Sequence, residues 1–190
     1  MTVLGAVLAG GMSTRMGTDK ADVLVGDKTM LERVGHAVEA VTDQTIVLGP
    51  DREGWETWPD SVHVHGPLAG IATALSRTEH AHVLLLAVDQ PFVRIETLRR
   101  IVEFKDDIPV VPVDEHGVPQ VTCALYPRTI RDEASEEASA SGSVQSLLDR
   151  VSFRPIPPDE WRDWGEDGRS WYSTDDLDAL EKGLALYAPD

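Results

Sequence analysis

The densest set of residues able to do chemistry is Leu8-Ala9-Gly10-Gly11-Met12-Ser13-Thr14-Arg15-Met16-Gly17-Thr18-Asp19-Lys20. Gly10, Gly11 and Gly17 permit close backbone approach and positive φ, so their amides can point at anionic oxygens, and Ser13 and Thr14 add hydroxyl donors. Arg15 and Lys20 bring two cations to the same stretch. The pattern is not a P-loop, which needs Gly-Lys-Ser/Thr after a four-residue gap, nor the G-x-G-x-x-G of a dinucleotide fold. Its chemistry is that of a phosphate-binding loop; the plain alternative is a solvated strand-to-helix turn. A second candidate is Asp89, which closes the most apolar run of the chain just before Pro91. A carboxylate there either serves a ligand at the strand end or is an ordinary turn or cap residue.

The elements that must position these residues follow from periodicity. Val3 to Ala9 is a short apolar run stopped by Gly10-Gly11, which predicts a buried strand. Met30 to Val41 places Leu31, Val34, Ala37, Val38 and Val41 on one helical face. Thr45 to Leu48 then predicts a strand closed by Gly49-Pro50, completing a right-handed strand, helix, strand crossover in a parallel sheet. Val62 to His65 predicts an edge strand, Leu68 to Ser76 a helix, His82 to Val88 a strand and Glu96 to Phe104 a helix. Val110 to Val113 and Val121 to Tyr126 are further strands. This alternation predicts a three-layer, Rossmann-like α/β domain with a mostly parallel central sheet. Ligands of such sheets lie outside the carboxyl ends of the strands, so Gly10-Gly11 and Asp89 become neighbours. Residues 151–170, with Pro155, Pro157, Pro158 and a mixture of acids and tryptophans, predict an irregular segment packed on that single domain, and Thr174 to Leu186 a short closing helix.

Composition excludes other classes. The chain has 190 residues, 33 acidic against 17 basic, a net charge of −16 and 42% hydrophobic residues. It can therefore bury a sizeable core, and it repels phosphate backbones and anionic bilayers, which argues against nucleic-acid and membrane partners. No basic lead precedes an apolar core at the N-terminus, and the longest clean apolar run is Val83 to Val88, so a soluble, cytoplasmic protein is expected. Arg outnumbers Lys 13 to 4 and Asp outnumbers Glu 19 to 14, as in proteins adapted to a salty cytoplasm. The charge is unevenly spread: residues 1–35 are neutral, whereas residues 36–128 carry −7 and residues 129–190 carry −9. The glycine loop thus lies in the one neutral stretch.

The full loop pattern resembles the L-A-G-G-x-S-x-R-M-G-x-D-K signature of the sugar-nucleotide-type nucleotidyltransferases, and within them the molybdenum cofactor guanylyltransferase family. Gly66-Pro67-Leu68-Ala69-Gly70 is similar to that family's second glycine motif and Asp89-Gln90-Pro91 to its D-x-P; Pro119-Gln120 and Gly142-Ser143 are weaker echoes. The likeness spans roughly residues 3–150. It implies the nucleotide-diphospho-sugar transferase type of fold and transfer of GMP from GTP to the phosphate of molybdopterin, with release of pyrophosphate. Partner proteins of molybdenum cofactor assembly would come with that activity.

By the resemblance, Leu8, Ala9, Gly10, Gly11, Lys20 and Gly70 would bind the nucleotide, with Gly70 near the base. Arg15 would face the triphosphate, and Arg15, Lys20 and Asp89 would be the catalytic set. Asp89 would hold Mg²⁺, a cation that keeps several waters and takes only one or two carboxylates. Nucleotidyl transfer needs positioning and charge neutralisation rather than a general base, since the attacking phosphate is already ionised. The chain departs from the family in two places. The family carries an aspartate several residues before its second glycine motif, whereas here Ser61-Val62-His63-Val64-His65 leads directly into Gly66 as a shortened loop, and Trp171-Tyr172-Ser173-Thr174-Asp175-Asp176-Leu177 lacks the asparagines of the family's N-x-N-T-P-E-D-L segment. Alternatives are a related cytidylyltransferase, a guanylyltransferase for another phosphorylated acceptor such as cobinamide phosphate or phospholactate, and a nucleotide-binding partner without turnover.

The remaining candidates have plainer explanations. His63 with His65, or His80 with His82, could share a strand face, but neither pair has a third ligand at zinc spacing and solvated histidines are expected. Cys123 sits in an apolar run as a small core residue. Trp55, Trp58, Trp161, Trp164 and Trp171 are expected to anchor irregular segments, with pterin stacking as the alternative. Without the resemblance, Gly66 to Gly70 is a helix entry with Pro67 at the first position.

Overall fold

A computed structural model describes residues 2–10, 19–59 and 66–187. The predicted edge strand Val62 to His65, with His63 and His65, lies outside the described residues, as do Gly11, Ser13, Thr14, Arg15 and Gly17. The elements begin with β1 (Val3–Leu8), a two-residue hairpin of β2 (Leu24–Val25) and β3 (Lys28–Thr29), α1 (Met30–Glu39), β4 (Gln44–Leu48) and β5 (Thr57–Trp58). They continue with α2 (Pro67–Arg77), β6 (His82–Ala87), α3 (Ile95–Phe104), β7 (Val110–Pro112), β8 (Cys123–Pro127), α4 (Arg131–Ser139) and α5 (Val144–Val151). The chain closes with β9 (Arg154–Ile156), α6 (Pro158–Arg162) and α7 (Leu177–Leu186).

Seven strands form one sheet in the order β5-β4-β1-β6-β8-β7-β9. β5, β4, β1 and β6 run parallel, β8 is antiparallel to both β6 and β7, and β9 is parallel to β7. The mostly parallel three-layer α/β architecture expected from the alternating pattern is therefore the one observed. One face of the sheet buries Val34, Val38, Leu98, Ile101, Trp161 and Leu180, the other Leu68, Ile71, Leu75, Ala134 and Leu147. β1 and β6, covered on both faces, are almost entirely apolar, as central parallel strands must be.

Local sequence sets the helix entries. Thr29 and Glu32 form a capping box on α1: the Glu32 amide donates to Thr29 Oγ1 at 3.1 Å and the Thr29 amide to Glu32 Oε2 at 2.7 Å. The Thr29 amide and the Thr29 hydroxyl, both donating to Glu32 Oε2, hold the Glu32 carboxyl below its usual pKa. α2 opens with Pro67 at its first position behind Gly66, whose φ of 95° belongs to the left-handed half of the map. At the end of β4, Gly49 has a φ of 143°, and a Cβ there would stand 2.8 Å from the Gly10 amide nitrogen. Only glycine lets that turn lie so close to the loop that leaves β1.

Three expectations change. Residues 151–170 are not irregular throughout: β9 joins the sheet at its outer edge, with Arg154 N donating to Pro109 O at 2.8 Å and Val113 N to Ile156 O at 2.9 Å, and α6 follows it. Pro155 is compatible with this because an edge strand leaves one row of amide positions unpaired. Trp58, expected in a loop, belongs to the edge strand β5. His82 is not a solvated histidine but the 2%-exposed first residue of β6, with Nε2 3.0 Å from Asp106 O. Cys123 is fully buried in β8, and desolvation pushes its thiol pKa far up, which fits a core residue.

Candidate active site

The carboxyl ends of β1 and β6 lie side by side, with Val88 N donating to Leu8 O at 3.0 Å and Ala9 N to Leu48 O at 2.9 Å. Above them, among the described residues, opens a cavity of about 450 Å³. It is lined by Leu8, Ala9 and Gly10 from the end of β1, Gly66 and Pro67 from the start of α2, Asp89, Gln90 and Thr122, and Lys20, Trp171, Ser173 and Asp175. Residues 8–10, 20 and 89, far apart in sequence, thus share one cavity.

Lys20 is the electrostatic centre of this cavity. It sits in a single 3₁₀ turn, Lys20–Asp22, whose N-cap Asp19 accepts from Ala21 N at 3.0 Å. Its Nζ lies 3.2 Å from Asp89 Oδ2 and 2.8 Å from Asp175 Oδ1, with only 17% of the side chain exposed. Burial is the largest influence on its pKa and lowers it, but the hydrogen bonds and charges of Asp175 and Asp89 outweigh burial and leave the pKa raised. The Asp19 carboxylate also pairs with Arg52.

The sign of that shift fixes a pH dependence. A lysine whose folded pKa exceeds its ordinary value of 10.5 contributes stability that is complete below that value and lost as pH rises through the folded pKa. Thermal melts between about pH 9 and pH 11.5 are expected to show the wild type losing stability relative to Lys20→Met over this window. A constant difference between the two proteins would mean that the ammonium contributes nothing through its carboxylate pairs.

Asp89 leaves the strand end with 22% of its side chain exposed. The loop is held from behind: Thr174 donates to the Asp89 carbonyl from its amide at 2.8 Å and from Oγ1 at 3.0 Å. The buried Gln90 accepts from Ala87 N at 3.3 Å and donates to Thr122 Oγ1 at 3.3 Å. The Asp89 backbone is thereby fixed and its carboxylate faces the cavity.

Gly70 lies one turn into α2 and is buried, and a Cβ there would overlap the Leu8 side chain. It lets α2 pack against the end of β1 and stands behind Leu8 rather than on the cavity wall.

Asp175, Trp171 and Ser173 were not picked out as site residues by sequence. The signal available was the segment that departs from the family's asparagine-rich pattern. What brings it to the cavity is Glu166, 3% exposed, which accepts from Thr97 Oγ1, from Ser170 Oγ and from the amides of Asp167 and Gly168 at 2.9 and 2.8 Å. Trp171, 8% exposed, packs edge-on against the fully buried Trp161 at 5.2 Å, and Gly35 accommodates the Trp55 ring. These tryptophans act as anchors. Among the described residues no group of three His, Cys, Asp or Glu side chains could hold a metal, so zinc at His80 and His82 has no third ligand there. No described helix is long and apolar enough to cross a membrane.

Comparison with known proteins bears on this site. A probable molybdenum cofactor guanylyltransferase of Pelotomaculum thermopropionicum is 36% identical over 118 residues, 60% of this chain and 57% of that protein. The chain thus spans little more than half the length of that relative. A molybdenum cofactor guanylyltransferase of Desulfosudis oleivorans is 27% identical over 191 residues, covering 96% of this chain and 95% of its own. The solved structure of molybdopterin-guanine dinucleotide biosynthesis protein A from Archaeoglobus fulgidus has the same fold, with a TM-score of 0.83 at 23% identity over 96% of this chain and 97% of that one. The model of the MobA-like NTP transferase domain matches residues 5–154, from within β1 to the first residue of β9, and the chain belongs to that family of nucleotidyltransferase enzymes.

Proposed function

We propose that this protein transfers GMP from GTP to the phosphate of molybdopterin and releases pyrophosphate in a Mg²⁺-dependent reaction, all 190 residues acting as one domain. The observation that carries this is the Lys20 ammonium held between Asp89 and Asp175 at the mouth of β1 and β6. Family membership and the names of the relatives support the choice of substrates.

In this reaction an oxygen of the acceptor phosphate attacks the α-phosphorus of GTP, and the bond from that phosphorus to the β-phosphate oxygen breaks. Leu8, Ala9 and Gly10 would hold the nucleotide, with Gly70 keeping Leu8 and α2 in contact beneath it. Lys20 would neutralise developing charge on the leaving pyrophosphate. Arg15 and Gly11, outside the described residues, are assigned to the triphosphate by their place in the motif. Asp89 would hold Mg²⁺ with Asp175 beside it. Two carboxylate oxygens converging on one cation centre are a donor set that suits a hard divalent ion, which takes one or two carboxylates and otherwise water and phosphate oxygens. When bound, the ion supplies neutralisation of phosphate charge. No side chain is asked to remove a proton.

The test is pyrophosphate release with each of the four nucleoside triphosphates plus molybdopterin, at molar salt. Release with GTP and molybdopterin is the expected result. Release with CTP alone would make the protein a related cytidylyltransferase, and release with another phosphorylated acceptor would move the acceptor assignment. Intact GTP binding without release under any pairing would make it a nucleotide-binding partner without turnover.

A further inference from the structure

The strand that leads to Asp89 has a neighbour on either side. In the sheet order β6 lies between β1 and β8, so Ala87 at its end stands opposite Leu8 on one side and donates its amide to the Thr122 carbonyl at 3.0 Å on the other. Two strand spacings put the Leu8 and Thr122 backbones about 10 Å apart. Asp89 follows two residues after the end of the strand between them. The glycine loop serves the β1 side. The β8 side brings Gln120 and Thr122 into the same cavity, and the reaction described above gives them no part.

The hydrogen bonds around these two side chains fix what each has left to offer. Gln120 Nε2 lies 3.1 Å from Asp114 Oδ2 and 3.1 Å from the Val118 carbonyl. Both partners only accept, so the amide nitrogen belongs on that side and both its protons are spent. Among the described residues Gln120 Oε1 then has no donor, and it remains an open acceptor. The tether is braced in turn: Asp114 Oδ1 accepts from the amides of His116 and Val118 at 2.8 and 2.9 Å, which closes the turn between β7 and β8. The buried Gln90 accepts from the Ala87 amide, which only donates, so its Nε2 is the end that reaches Thr122 Oγ1 at 3.3 Å. Thr122 Oγ1 receives that proton and keeps its own to give. The pair therefore offers one acceptor and one donor, neither of them charged.

This side of the cavity does not suit a phosphate. Among the described residues Lys20 is the one cation in the lining, and the Asp114 carboxylate holds Gln120 from behind. A carbonyl oxygen backed by a carboxylate repels an anion and attracts an N–H or O–H donor. We propose that Gln120 and Thr122 bind the uncharged ring of the acceptor substrate at a ring-amide edge, while its phosphate reaches Asp89. The ring N–H would donate to Gln120 Oε1 and the adjacent ring carbonyl would accept from Thr122 Oγ1. This rests on the transferase reading above and adds to it the residues that select the acceptor. The pair is selective because an acceptor lacking either group leaves one of these polar atoms unpaired on binding.

The test is titration of the full chain with molybdopterin, followed by its pterin fluorescence, and separately with GTP by calorimetry, with pyrophosphate release measured on the same preparations. Gln120→Met and Thr122→Val keep the size of each side chain and remove its polar atoms. Each is expected to weaken molybdopterin binding about 5- to 10-fold and to raise the KM for molybdopterin by the same factor, with kcat within about threefold and the Kd of GTP within about twofold of wild type. Thr122→Ser, which restores the hydroxyl, should return molybdopterin binding to within about twofold of wild type. Gln120 is only half-buried, so its replacement tests the pair even where Thr122→Val fails to fold. Unchanged molybdopterin binding in the folded variants overturns the proposal. A loss of GTP affinity in place of molybdopterin affinity assigns the pair to the base of the nucleotide and overturns it equally. A wild type that binds GTP but neither binds molybdopterin nor turns it over would overturn the substrate reading, and this assignment with it.

Discussion

Asp89→Asn is expected to lower metal-dependent turnover at least about 100-fold, the scale on which removal of one preorganised charge-stabilising group acts, while the fold stays intact. The amide keeps the shape of the side chain and an oxygen that can accept from Lys20, and the backbone hydrogen bonds from Thr174 and Gln90 that fix the turn do not involve the carboxylate. What is lost is one negative charge lining the cavity. Among the described carboxylates, Lys20 then keeps only its pair with Asp175, and the donor set offered to a divalent cation is reduced. The check is kcat at saturating GTP across a Mg²⁺ titration, alongside a thermal melt. A rate within about threefold of wild type in that assay would remove Asp89 from the chemistry.

Glu166→Ala is the second large effect, and it acts on stability first. Its buried carboxylate gathers Thr97 Oγ1, Ser170 Oγ and the amides of residues 167 and 168. Removing it leaves the buried Thr97 and Ser170 hydroxyls and two part-buried amides without this partner. Each costs on the order of 1 kcal/mol or more, so a loss of about 3 kcal/mol is expected. For a chain of this size that is a fall in Tm of roughly 10 °C. The same residue seats Ser170 and therefore the approach to Trp171, Ser173 and Asp175, which line the cavity at the ends of β1 and β6. The surviving enzyme should accordingly show a raised KM for GTP, measured below the lowered Tm, and Glu166→Gln should recover part of both losses. A stable Glu166→Ala protein with an unchanged KM would mean that the C-terminal segment docks without this latch.

How much of this was legible in sequence depended on whether a contact was local or repetitive. The strand at Val3 to Leu8, the capping box of Thr29 with Glu32 and the helix entry at Gly66-Pro67 are encoded within a few residues, and the two-face burial of β6 shows as an unbroken apolar run. Helix α4 was not read, because only Ala134 and Ala138 are buried on a short and otherwise charged surface, so its apolar stripe is too thin to register. Strand β9 was hidden by Pro155, which argues against a central strand but not against an edge.

Sequence by itself determined the fold class, the glycine loop and the strand-end Asp89, because each is a matter of pattern within one element or one turn. Tertiary structure alone decided which charges meet. Lys20 and Asp175 are 155 positions apart, and Arg52 and Asp19 are 33 apart. Charge acts through distance in space, and the summed −16 of the chain gave no sign that Lys20 stands between two carboxylates at the end of the sheet.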